Sequence, residues 1–187
     1  MSTPTYLLVD GENIDATLGN HLLGGRRPSP EERPRWERVR GFAGTAFEEQ
    51  DVKALFFLNA SSGNLPMTFV QALMALDYRP IPLAGTASEK VVDIGIQRTL
   101  DALVDRPGDV ILASHDGDFL PHISALLNGT RKVGVVGFRE YLSSGYTALV
   151  DKGLRIFDLE DDTRCFTVAL PRVRIIPLAS FDPLRYL

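Results

Sequence analysis

The chain has 187 residues, of which 44% are hydrophobic and 24% are charged, and its formal net charge is −4. This length suffices for one domain with its own core, and the composition is that of an ordinary globular protein. No apolar stretch is long enough to span a bilayer, and the negative charge excludes a protein that grips duplex DNA through an overall basic field. With a single cysteine, Cys165, no internal disulfide can form. The N-terminus also lacks a signal-peptide pattern, so we expect a cytoplasmic protein.

Apolar runs alternate with amphipathic segments along the chain, and this alternation predicts strands and helices in turn. Strands are predicted at residues 5–9, 52–59, 78–83, 109–113 and 132–137, with a further strand near 154–158. Helices are predicted at about residues 14–23, 34–50, 65–76, 90–104, 118–127 and 141–150.

Strands that alternate with helices predict a parallel sheet covered by helices on both sides, which is an α/β fold. Right-handed crossovers then favour a strand order of 3-2-1-4-5, in which the first and fourth strands are neighbours. Residues 159–187 are predicted to extend a domain of residues 1–158. Residues 168–177 have strand-like content, but their prolines favour an edge strand or an arm. The apolar tail at 180–187 is expected to pack against the domain or a sister subunit.

Acidic residues stand where the predicted strands end. Asp10 closes the first strand, Asp116 and Asp118 follow the fourth, and Asp93 opens the helix between them. Because the carboxyl ends of parallel strands line one crevice, we expect these carboxylates to lie together. Their mutual repulsion is tolerable if a divalent cation sits among them. The pattern therefore predicts a Mg²⁺ or Mn²⁺ site and phosphate chemistry.

Each of these residues also has a simpler interpretation. Asp10 and Asn13 could cap the helix that follows the first strand, and Asp118 favours a helix N-terminus. Ser114 could hydrogen-bond a carboxylate or a phosphate. Lys90 could neutralise a phosphate, pair with a carboxylate, or stay an exposed lysine without function.

A cluster of arginines lies within residues 26–40. Arg26, Arg27 and Arg35 are candidates for contacts with substrate phosphates at the rim of the acidic crevice. The alternative is a solvated loop and helix face.

Three segments resemble the characteristic elements of the NYN domain family, relatives of the PIN-like nucleases. Residues 8–13 (LVDGEN), 90–94 (KVVDI) and 114–119 (SHDGDF) match, in order, an [IV]DGxN start, a K-x-x-D element and an S-x-D-x-D-F element. The resemblance covers about residues 5–136. His115 stands where the family commonly has glycine, and Gly117 where it often has serine. Neither change removes a carboxylate, and we interpret His115 as a structural or surface residue.

The resemblance implies a Rossmann-like, three-layer α/β/α domain of the PIN type, with a mostly parallel central sheet of about five or six strands. It also implies cleavage of RNA by a metal-dependent hydrolase. Asp10, Asp93, Asp116 and Asp118 would be the metal-binding and catalytic residues, with Asn13 as the accompanying polar residue. We therefore expect an endoribonuclease that uses Mg²⁺ or Mn²⁺ on single-stranded or structured RNA. The C-terminal extension could assemble a homodimer.

Two alternatives stay open. The first is a non-catalytic module of the same fold that binds RNA or a protein partner. The second is an aspartyl-phosphate phosphatase, which also places an aspartate after its first strand, but residues 10–12 (DGE) lack the second aspartate expected there. The sequence contains no Walker lysine loop, no GxGxxG fingerprint after the first strand and no GxSxG elbow.

Overall fold

Six strands form one sheet in the computed structural model, which describes residues 2–49 and 51–187. The strands are β1 (Thr5–Asp10), β2 (Val52–Asn59), β3 (Tyr78–Leu83), β4 (Asp109–Ala113), β5 (Val133–Gly137) and β6 (Arg155–Asp158). The helices are α1 (Gly11–Thr17), α2 (Trp36–Ala46), α3 (Met67–Ala75), α4 (Val91–Leu103), α5 (Leu120–Leu126) and α6 (Ser144–Ala148).

The sheet has the order β3-β2-β1-β4-β5-β6, and every neighbouring pair is parallel. This confirms the predicted α/β fold and the predicted order, with the sixth strand at one edge. All residues of β1 are buried, because β1 pairs with β2 on one side and β4 on the other and is covered on both faces. The order reverses between β1 and β4, and ligands of such sheets bind outside the strand ends at this point.

The two faces of the sheet carry separate hydrophobic cores. Side chains alternate along a strand, so Leu7 and Val9 of β1 pack into the core beneath α1 and α2. Tyr6 and Leu8 pack into the opposite core, beneath α4 and α5. The predicted three-layer arrangement is therefore confirmed.

The first helix differs from its prediction at both ends. It begins at Gly11, and its cap is Asp10, which accepts a hydrogen bond from the Asn13 backbone N–H at 3.4 Å. Of the two caps considered, Asp10 is therefore confirmed and Asn13 is wrong, because the strand runs directly into the helix and Asn13 lies in its first turn. A π-helical turn at Leu18–Leu22 continues α1.

Two further helices are shorter than predicted. The helix predicted to reach Gln50 ends at Ala46 as α2, and Gln50 itself lies outside the described residues. The helix predicted at 141–150 is broken into a 3₁₀ turn, the short α6 and a second 3₁₀ turn. The break between the first 3₁₀ turn and α6 lies at Leu142 and Ser143, whose ψ angles of 139° and 135° are not helical.

The beginning of the C-terminal extension packs on the sheet. Leu159, Cys165 and Leu170 are buried in the core beneath α1 and α2. Residues 168–177 form no strand, so the edge-strand alternative is wrong and the arm stays a prediction.

The tail does not pack on its own domain, which was one of its two predicted partners: Leu184 is 79% exposed and Leu187 is fully exposed. The division of the chain at residue 158 stays a prediction.

Among the described residues, no helix is long and apolar enough to cross a membrane.

Candidate metal centre

The carboxyl ends of β1 and β4 lie side by side at the point where the strand order reverses. Val9 pairs with Ala113 in the register of these strands. The residues that follow them in the chain, Asp10 and Ser114, therefore also lie side by side. The Ser114 hydroxyl donates a hydrogen bond to Asp10 Oδ2 at 2.9 Å. Strand register therefore brings Asp10 next to the loop that carries Asp116 and Asp118.

Three carboxylates converge in front of this pair. Oxygen atoms of Asp93, Asp116 and Asp118 all lie within 4.8 Å of one another. Asp116 Oδ1 accepts the backbone N–H of Asp118 at 2.9 Å, which fixes the turn that carries both carboxylates. Gly117 permits this turn to lie against its neighbour, because an added Cβ would stand 2.7 Å from Ser143 Oγ. We call Asp93, Asp116 and Asp118 the acidic trio.

Asp10 lies behind the acidic trio and is 2% exposed. Burial raises the pKa of Asp10 to about 6, the Ser114 hydrogen bond opposes this rise, and the charges of Asp93 and Asp116 add to it. The pKa of Asp93 is also raised, first by burial and then by the charge of Asp116, whereas Lys90 lowers it. The carboxylates thus repel one another. A set of carboxylate oxygens suits a hard divalent cation such as Mg²⁺ or Mn²⁺, which would relieve this repulsion.

His115 is a structural cross-link between three segments, as one of the two interpretations of this residue predicted. Its Nε2 accepts the Phe138 backbone N–H at 2.8 Å, so the ring proton sits on Nδ1. Nδ1 lies 2.8 Å from Asn13 Oδ1 and 3.1 Å from Thr17 Oγ1. Burial lowers the pKa of His115 to about 4, which keeps the imidazole neutral. Gly137 makes room for the ring, since a Cβ there would lie 2.8 Å from it.

Asn13 and Ser114 are both engaged within the protein. Asn13 Oδ1 also accepts the backbone N–H of His115 at 2.8 Å, so its oxygen joins the loop after β1 to the loop after β4. Ser114 is fully buried and directs its hydroxyl at Asp10 rather than outward.

The predicted basic rim is only partly available. Arg26 forms a bidentate ion pair with Glu32 at 2.7 and 2.6 Å, and this pairing lowers the pKa of Glu32 to about 2. Arg27 and Arg35 are exposed, and so is Lys90 at the start of α4. Of these basic residues, Lys90 is the one whose charge acts on Asp93.

One residue of the site escaped the sequence analysis. The Tyr146 hydroxyl donates a hydrogen bond to the Asp116 carbonyl at 2.6 Å, and the residue is fully buried. Tyr146 therefore holds the backbone of the acidic loop from α6. Because it belongs to no motif and lies thirty positions away along the chain, its sequence context gave no sign of this contact.

Comparison with known proteins identifies the family. The sequence model of the NYN domain matches residues 4–153. The chain belongs to the NYN domain family. This is a PIN-like nuclease family, and the matched residues include the whole acidic trio. No curated protein matches the chain significantly.

A solved structure supports the fold. The NYN protein is similar to a protein of unknown function from Vibrio parahaemolyticus, with a TM-score of 0.67 and 22% sequence identity. The similarity covers 86% of this chain and 94% of the Vibrio chain. The two proteins thus share their fold over nearly their whole lengths.

Proposed function

We propose that this NYN protein is a divalent-metal-dependent endoribonuclease. The proposal is carried by the acidic trio, whose carboxylate oxygens lie within 4.8 Å of one another at the topological switch point of a nuclease-family domain. NYN proteins act on RNA, and phosphodiester hydrolysis at a cluster of carboxylates is ordinary chemistry for Mg²⁺ or Mn²⁺.

Asp93, Asp116 and Asp118 would hold the cation directly. When bound, Mg²⁺ or Mn²⁺ would supply an activated water and stabilise charge on the phosphate. Asp10, buried behind the acidic trio and hydrogen-bonded by Ser114, would act through a water molecule, since Mg²⁺ usually retains several. Asn13 would keep the loops after β1 and β4 in register rather than touch the reacting phosphate.

The substrate would be held by the exposed basic residues near the crevice. Lys90, whose charge acts on Asp93, would contact the phosphate at the acidic trio, and Arg27 and Arg35 would contact backbone phosphates further along a single-stranded or structured RNA. Arg26 is occupied by Glu32 and would shape the loop instead. We retain the cytoplasm as the proposed location, on the sequence argument alone.

The test measures cleavage of a 5′-labelled single-stranded RNA by the purified protein with Mn²⁺ and with chelator. We expect cleavage in the presence of Mn²⁺ and none in the presence of chelator. The cleavage rate should fall by about 100-fold or more in Asp93→Asn and Asp116→Asn, because mutating even a residue that only hydrogen-bonds a metal ligand typically lowers metal affinity or activity 10- to 100-fold. Asp105→Asn is the matched control, since Asp105 is exposed and precedes β4 at the opposite edge of the sheet.

Equal cleavage by all four proteins would indicate a contaminating nuclease and refute the proposal. Binding of RNA without cleavage, in the presence of bound Mn²⁺, would instead support a non-catalytic module of the same fold.

We further propose that the exposed tail joins two copies of the chain. Leu178 is 87% exposed and Leu184 is 79% exposed, and exposed apolar side chains in such a short segment are typical of protein interfaces. A second copy supplies the same apolar tail, so the contact would be self-complementary. The molecular mass in solution tests this assembly.

A further inference from the structure

A cavity of about 400 Å³ lies between the π-helical turn after α1 and the C-terminal extension. This volume falls within the range of about 300–1,000 Å³ that is typical of ligand pockets. Its lining includes His21, Leu22, Tyr141, Pro171, Arg172 and Val173.

Two stacked aromatic rings form part of its wall. The ring centroids of His21 and Tyr141 are 5.4 Å apart, and the ring planes differ by 22°. Tyr141 is 38% exposed and His21 is exposed. Exposed, stacked aromatic rings offer a flat apolar face, on which a further planar ring can stack.

The cavity lies at the same edge of the sheet as the acidic trio. Tyr141 sits in the turn that follows β5, and its backbone N–H donates to the Phe138 carbonyl at 2.9 Å. Phe138 in turn donates to His115 Nε2 at 2.8 Å, and Ser143 donates to the His115 carbonyl at 3.2 Å. The turn that carries Tyr141 is therefore tied at both ends to the residue that precedes Asp116.

The outer wall of the cavity is held in place by an ion-pair network. The Arg172 side chain is 7% exposed, hydrogen-bonds Glu140, and has its Nη1 atom 3.4 Å from Glu160 Oε1. Arg174 pairs with Glu160 as well. The charges of these four residues balance, so the network supplies rigidity rather than a local positive charge. Pro171 and Val173, on either side of Arg172, are thereby fixed at the cavity.

We propose that this cavity is a subsite for one nucleobase of an RNA strand, which stacks on the His21–Tyr141 pair while the backbone crosses the acidic trio. This inference rests on the proposed function. A cavity walled by stacked aromatic rings, with charged neighbours that balance, suits a planar, uncharged base, and stacking accepts any base because every base has a π face. The C-terminal extension would therefore complete the substrate site.

The experiment measures binding of fluorescein-labelled single-stranded RNA by anisotropy, in the Asp116→Asn background so that no cleavage occurs. Tyr141→Ala should weaken binding about tenfold, the usual effect of losing one base–aromatic stack. Tyr141→Phe retains the ring and should bind as the parent does. The matched control is Phe69→Ala, because Phe69 is 36% exposed and lies on α3, away from the cavity.

A set of RNAs with one abasic position each makes the test specific. One abasic position should weaken binding to the parent about tenfold and have no effect on Tyr141→Ala, because both changes remove the same stack. Equal affinities of the parent and Tyr141→Ala for intact RNA, or additive losses, would overturn the subsite. Absence of RNA binding and of cleavage by the unmutated protein would overturn the proposed function itself, so the two failures are distinguishable.

Discussion

The ionisation of Asp10 is coupled to folding. Its pKa is about 6 in the folded protein and 3.8 ordinarily, with burial as the main cause. Burial lowers the pKa of His115 from 6.5 to about 4, so the contribution of His115 to stability rises over this pH range. Asp10 instead holds its proton more tightly in the folded protein than in the unfolded chain, so the contribution of Asp10 falls as the pH rises from about 4 to about 6. Asp93 contributes in the same direction.

We therefore predict that Asp10→Asn raises the free energy of unfolding at pH 7 by on the order of 2 kcal/mol in metal-free buffer, and makes its slope against pH between pH 4 and pH 6 more positive than that of the parent. Urea unfolding at a series of pH values measures both effects. The control Asp105→Asn should keep the slope of the parent. An unchanged slope in Asp10→Asn would contradict the assigned pKa.

His115 is predicted to support the acidic trio through the backbone. His115→Ala leaves a cavity and an unsatisfied Phe138 N–H, which together should cost about 2–4 kcal/mol of stability. It should also weaken Mn²⁺ binding, because the loop that carries Asp116 loses its imidazole contacts with Asn13 and Phe138 and keeps only the backbone hydrogen bond to Asn13. His115→Asn retains a donor near the position of Nδ1 and should lose less of both. Calorimetry with Mn²⁺ and urea unfolding measure the two effects, and unchanged values in His115→Ala would show that the cross-link is dispensable.

At the scale of elements, the junction of β1 and α1 depends on a close approach of backbone to ring. A Cβ on Gly11 would lie 2.5 Å from the Phe56 ring, which is 2% exposed and wedged edge-on against Trp36. The ring cannot withdraw, so α1 can start directly after Asp10 only with glycine in this position.

Gly11→Ala should therefore destabilise the protein by about 1–3 kcal/mol through overpacking. Gly41→Ala is the matched comparison, because no atom lies within 4 Å of the added Cβ in α2. There the better helix propensity of alanine should stabilise by up to about 1 kcal/mol. Thermal or urea unfolding of both variants tests the contrast. The same sign of change in both would contradict it.

At the scale of the whole molecule, the exposed tail predicts a dimer. The full chain should show a dimer mass by light scattering at micromolar concentration, and a chain that ends at residue 177 should show a monomer mass. The double variant Leu178→Ser/Leu184→Ser keeps the full chain length and should also show a monomer mass.

The truncation should leave the free energy of unfolding of the monomer nearly unchanged, because the tail contributes nothing to the two cores. A monomeric full chain would refute the assembly.

The order of strands and helices, the parallel sheet and the positions of the acidic residues at strand ends could all be predicted from the sequence. These features follow from apolar periodicity and crossover geometry, which depend on residues close together along the chain. The predicted NYN family is confirmed for the same reason, since its motifs are local.

The contacts between side chains distant in sequence became known only from the folded structure. Strand register joined Ser114 to Asp10, and the packing of β5 on β4 joined Phe138 to His115. Arg26 pairs with Glu32 in its own loop and so does not contribute a free charge to the predicted basic rim. Such contacts depend on distances between segments far apart in sequence, and no local pattern records them. For the same reason the exposed tail could not be distinguished from a packed one by its apolar composition.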